Sequence, residues 1–158
     1  MLHPAVAHFA VVLPVVSLVI GIAYLIKPSE LMSKISTRFM VFATLFLIFT
    51  FFTGKSDGGE VFILLPEAGQ ELLKEHKELG LFLVIGMGIA TISKFVGCLK
   101  KILKAEIFAI LLVAIISSGA LFQGKMGGEL TYAYGANVEK HADGMDCLEN
   151  PSEFVVEK

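Results

Sequence analysis

Four stretches of this chain are apolar and free of charge for long enough to cross a bilayer, and nothing else in the sequence constrains the fold as strongly. Residues 4–26 contain no charged side chain. Residues 39–54 are uncharged and reach spanning length if their helix starts near Ile35. Residues 79–93 are also uncharged, and Lys94 can snorkel so that the helix continues to about Leu99. Residues 107–124 form the fourth. A helix needs about 20 apolar residues to cross the hydrocarbon core, with a range of roughly 17–25. The sequence therefore predicts an all-α fold, an integral membrane four-helix bundle. Of the 158 residues 55% are hydrophobic and only 18% charged, where a soluble domain carries about 25% charged. That excess argues against a cytosolic globular enzyme. The first span has no basic leader and too long an apolar core for a signal peptide. A net charge of -2 gives no attraction for nucleic acid.

The connections predict an orientation. Lys27, Lys34 and Arg38 lie between spans one and two, against Glu30. Lys100, Lys101 and Lys104, with Lys94 beside them, lie between spans three and four, against Glu106. Lys and Arg concentrate in short cytoplasmic loops, so both of these loops are expected inside. Both termini and a 24-residue loop over 55–78 are then expected in the periplasm of a bacterium, with the protein in the inner membrane. Cys98 and Cys147 fall on opposite sides and cannot pair. Cys147 is read as an idle thiol, with a link to another subunit as the alternative. The domain reading is a transmembrane domain over 1–138 and an acidic periplasmic tail over 139–158.

The two halves carry a repeat. After span two the chain reads Gly54-Lys55-Ser56-Asp57-Gly58-Gly59-Glu60, and after span four Gly124-Lys125-Met126-Gly127-Gly128-Glu129. His8 precedes Gly54 by 46 residues and His76 precedes Gly124 by 48 (54 minus 8 and 124 minus 76). We read two helical hairpins related by a pseudo-two-fold axis along the membrane normal. The alternative for each glycine pair is a turn that ends its helix. In the second half, Leu72, Leu73, His76, Leu79, Gly80 and Leu83 recur on one helical stripe, which puts His76 on the inward side of a charged turn. Pro66 suits the first position of that helix.

Ionisable residues in membrane helices are rare and point to function. His3, His8, His76 and His141 all fall on the expected outer side. Spans one and three lie on the diagonal of an up-down bundle, about 11–14 Å apart for helices packed at 8–10 Å. That gap suits two histidines on either side of a porphyrin. The leading expectation is a b-type haem with His8 and His76 as axial ligands. Gly54, Gly80 and Gly124 would leave room for the macrocycle or free backbone N–H groups beside it, and Lys55 and Lys125 would meet its propionates. His3, roughly 140° around the helix from His8 and so on another face, reads as a helix-start residue, as a partner that orients a ligand, or as a substitute ligand. His141 reads as a solvated tail residue.

The opening Leu2-His3-Pro4, three residues, then His8-Phe9, together with the closing Gly127-Gly128-Glu129-Leu130-Thr131-Tyr132-Ala133-Tyr134-Gly135, resembles an uncharacterised bacterial family of predicted four-helix inner-membrane proteins. The resemblance covers residues 1 to about 138. It implies the fold and little chemistry, and it carries His3, His8, Gly127, Gly128, Glu129, Tyr132 and Gly135 as matching positions. This chain has Ala10 where the family often has proline.

Three functions are expected from this reading. The first is electron relay near the periplasmic face by haem b, with quinol, a periplasmic electron carrier or subunits of a respiratory complex as partners alongside the lipid bilayer. The second is a non-redox accessory or assembly subunit of a membrane complex. The third is copper or zinc handling by His3, His8 and His141. An electron carrier or accessory subunit fits better than a stand-alone enzyme. A transporter is disfavoured because no acidic residue or interrupted helix sits at the midplane.

Overall fold

A computed structural model describes residues 2–136, and within them the chain forms four helices joined by short turns. They are α1 (His3–Ile26), α2 (Glu30–Val61), α3 (Glu67–Lys100) and α4 (Leu103–Tyr132). All four are long and apolar enough to cross a membrane. Each helix packs on its two neighbours in the order α1, α2, α3, α4 and back to α1, which leaves α1 and α3 on one diagonal. His141, Cys147 and the acidic tail lie outside the described residues.

The helices run further than the apolar stretches. At 1.5 Å per residue, α2 is about 48 Å long and α3 about 51 Å, against a hydrocarbon core of about 30 Å. The expected 24-residue loop is therefore mostly helix: α2 continues to Val61, a single 3-10 turn covers Phe62–Leu64, and α3 begins at Glu67. Hydropathy marks where a helix meets lipid, and the backbone keeps its own hydrogen bonds beyond that point. Both glycine pairs lie inside helices, Gly58 and Gly59 in α2 and Gly127 and Gly128 in α4, so the turn reading of these segments is overturned. The two segments share one end of the bundle, the end where α1 and α3 begin.

The ends are set by local chemistry. Ser29 caps α2 by accepting the Met32 N–H at 3.1 Å. Leu2, at the start of α1, offers no capping side chain; the carboxylate of Asp57 from α2 accepts the N–H groups of Leu2 and His3 at 2.9 and 3.0 Å instead. Pro66 is the cap of α3, one position before the expected one. Lys101 takes a left-handed conformation (φ 56°) that lets the Ile102 N–H return to the Gly97 carbonyl at 2.9 Å. Gly135 (φ 68°) similarly turns the chain after α4, so that the Ala136 N–H reaches the Leu130 carbonyl at 2.9 Å. Tyr134 then lies over Gly69, and Val61, Leu65, Leu130 and Ala136 close a small apolar cap. The closing sequence Tyr132-Ala133-Tyr134-Gly135 thus seals one end of the bundle.

Lipid is as apolar as a leucine side chain, so helix association rests on close packing and polar contacts. Ala43, Ala90 and Ala109 are fully buried and let the helices approach around Met40, Met87 and Val113. The Thr44 and Thr91 hydroxyls meet at 2.7 Å between α2 and α3. Most large hydrophobics that face outward, such as Phe82, Phe108 and Ile115, would face lipid.

The strongest polar contact lies at the opposite end from the histidines. Glu106 of α4 is 4% exposed and forms an ion pair with Lys94 of α3, which is completely buried. The same carboxylate accepts Ser33 Oγ of α2 at 2.6 Å and Tyr24 OH of α1 at 3.0 Å. The Lys94 ammonium also sits 4.0 Å from the centre of the Tyr24 ring. One carboxylate therefore joins all four helices. The expected snorkelling of Lys94 is corrected here. Lys94 continues the buried stripe of Met87, Ala90 and Thr91, so its side chain points into the bundle, where a counter-ion waits.

Candidate histidine cavity

At the histidine end the four helices part around a cavity of about 600 Å³. Ligand pockets commonly span about 300–1,000 Å³ and occur between helices of bundles. Its walls are mainly apolar, with Leu47, Leu83, Val84 and Ala120 at the deep side. His3, His8 and His76 all line it, together with Thr50 and Gln123.

His3 stands in the first turn of α1. Its Nδ1 lies 3.1 Å from the Thr50 carbonyl of α2. A carbonyl only accepts, so Nδ1 carries the proton and the Nε2 lone pair is free. His8 has the same tautomer, because its Nδ1–H donates to the Pro4 carbonyl of its own helix at 3.1 Å. His8 is exposed, on the outer wall of the cavity. His3 and His8 lie on different faces of α1, as expected from their spacing, and the cavity is broad enough to touch both faces.

His76 faces inward, as its stripe predicts. Leu72, Leu73, Leu79, Gly80 and Leu83 are part-buried with it, while Glu71, Lys74, Glu75, Lys77 and Glu78 are exposed. Its Nδ1 is buried without a hydrogen-bond partner among the described residues. Its backbone carbonyl accepts Gln123 Nε2 at 2.8 Å, which ties α3 to α4 at the same level. The ring nearest to His76 across the diagonal is that of His3, with centroids 6.3 Å apart and planes at 89°.

The glycines serve these side chains. A Cβ on Gly54 would stand 2.8 Å from His3 Cε1, so the missing side chain is the seat of the His3 ring. A Cβ on Gly80 would meet Gln123 Nε2 at 3.1 Å, and one on Gly124 would meet Val11 at 3.3 Å. Gly127 faces His76 at an ordinary 3.5 Å, and Gly128 borders open space. Lys55 and Lys125 are exposed on α2 and α4 and do not line the cavity. Reasoning from sequence missed Asp57, Thr50 and Gln123. Asp57 carried a signal, as the extra residue in the first glycine segment; the other two carried none.

Imidazole nitrogens with free lone pairs can ligate a metal or accept a proton. Among the described residues no three His, Cys, Asp or Glu side chains converge as a metal-ion site. No curated protein and no solved structure matches the chain. Residues 1–140 match the family described as a predicted membrane protein, DUF2231. With four membrane-length helices over the same residues, the chain belongs to that family of predicted membrane proteins.

Proposed function

We propose that the protein is a b-type haem membrane protein that relays electrons near the periplasmic face. One observation carries the reading: imidazoles from the two diagonal helices line a single, mainly apolar cavity of about 600 Å³. Haem needs only two protein ligands, whereas structural zinc takes four and catalytic zinc three. Three histidines line the cavity, but among the described residues no three His, Cys, Asp or Glu side chains converge as a metal-ion site, which favours haem over a bare metal ion. The His76 Nδ1 is buried without a hydrogen-bond partner among the described residues, and such a nitrogen is costly unless a bound group occupies that atom itself.

In this reading His76 and a histidine of α1 would hold the haem. Bound haem would contribute the one-electron couple of its iron. Thr50 and Pro4 hold the α1 imidazoles in the ligating tautomer through their carbonyls. Leu47, Leu83, Val84 and Ala120 keep water from the deep side. The basic loops support a cytoplasmic opposite end, and in that orientation quinol, a periplasmic carrier or a respiratory complex would exchange electrons at the histidine end. One haem at one end does not carry electrons across the bilayer by itself.

The test is a reduced-minus-oxidised absorption spectrum of the full chain purified in detergent from haem-replete cells. Soret and α bands with about one haem per chain are expected. A colourless protein would refute the proposal and leave the non-redox assembly reading. That second reading has one feature in its favour, the strongly exposed Ile63 and Leu64 in the turn between α2 and α3.

A further inference from the structure

We infer that His3, and not His8, is the histidine of α1 that ligates opposite His76. The inference rests on the haem reading and selects its axial pair. His3 is held from three directions. Asp57 fixes its backbone N–H at 3.0 Å, the Thr50 carbonyl fixes its Nδ1–H at 3.1 Å, and Gly54 supplies the space in which its ring lies. Two of these partners belong to the glycine segment that ends α2, and Thr50 stands one turn before it. That part of the repeat thus finds a physical role in orienting one imidazole. His8 has no such support, because among the described residues its side chain bonds only within its own helix and it is exposed.

The ring contact agrees. Among the described residues, His3 is the imidazole of α1 whose ring stands against that of His76. The His3 and His76 centroids are 6.3 Å apart in a T-shaped arrangement, with planes at 89°. A carbonyl partner on the remote nitrogen is also the usual means of fixing a ligating imidazole. His3 has that partner on another helix, which ties ligand orientation to the packing of α1 on α2.

The experiment is spectroscopic, on the full chain in detergent: absorption and electron paramagnetic resonance of the wild type, His3→Ala, His8→Ala and His76→Ala. His3→Ala and His76→Ala should each lose the low-spin signal and become high-spin, and added imidazole should restore the low-spin signal in His3→Ala. His8→Ala should keep it. If His8→Ala turns high-spin while His3→Ala stays low-spin, the axial pair inferred here is wrong and the haem reading stands. A wild type without haem would instead overturn the haem reading and the pair with it. Should His3→Ala fail to accumulate, Gly54→Ala decides, because its methyl group displaces the His3 ring without removing it. A low-spin signal that weakens or shifts supports the pair, and an unchanged spectrum overturns it.

Discussion

Replacing Lys94 by Ala should be among the most damaging single changes in this protein. Among the described residues, the substitution leaves the Glu106 carboxylate, 4% exposed, with only the Ser33 and Tyr24 hydroxyls as donors. Breaking a buried ion pair from one side costs about 3–5 kcal/mol, because the surviving charge keeps its desolvation penalty and loses its counter-ion. Individual hydrogen bonds between membrane helices average only about 0.6 kcal/mol, so the two hydroxyls cannot make up the deficit. Ser33→Ala alone should therefore cost about 1 kcal/mol or less. The double variant Lys94→Met/Glu106→Leu removes both charges and fills similar volume, and such replacements are often neutral or stabilising by about 1–4 kcal/mol. The assay is reversible unfolding in mixed micelles, read by helix circular dichroism across a denaturing-detergent titration, for the wild type, Lys94→Ala, Lys94→Met, Glu106→Leu and the double. Strong coupling is expected, with the double variant at least as stable as either single. A Lys94→Ala cost below about 1 kcal/mol, or a double variant as weak as the sum of its singles, would refute the claim that this pair is buried and mutually dependent.

Three further outcomes follow from the same contacts. Gly97→Ala should destabilise by about 1–3 kcal/mol in the same titration, because its Cβ would stand 2.7 Å from Glu106 Cγ and 3.0 Å from the Glu106 backbone nitrogen, neither free to move. The better helix propensity of alanine returns about 1 kcal/mol at most, so a net gain would contradict the close approach of α3 and α4. Asp57→Ala should cost about 1 kcal/mol and raise amide exchange at Leu2 and His3, whereas protection that persists would mean the cap is made elsewhere. A phosphatase fused after Lys158 should be active in the periplasm and a fluorescent protein there should be dark; the reverse would invert the topology.

Much of this architecture could be read from residue order alone. The four spans, the basic end and the histidine end follow from local sums of hydropathy and charge, which do not depend on which helix touches which. The inward turn of His76 was equally legible, because charged neighbours at Glu75 and Lys77 leave its stripe a single apolar partner face. The buried position of Lys94 carried a local signal too, since it continues the spacing of Met87, Ala90 and Thr91, but a lysine at the end of an apolar run is ordinarily taken to snorkel. What decides between those readings is a carboxylate on the next helix pointing back, and that depends on helix rotation. Tyr24 meets Glu106 across 82 residues of sequence and His3 meets Thr50 across 47. Asp57 caps a helix that begins 54 residues earlier. Each of these contacts is fixed by how the helices rotate and pack as a set, which is a property of the whole bundle and not of any window of its sequence. Residue order determined that histidines would gather at one end, and only the packing of α1 on α2 decided that the ring facing His76 is that of His3.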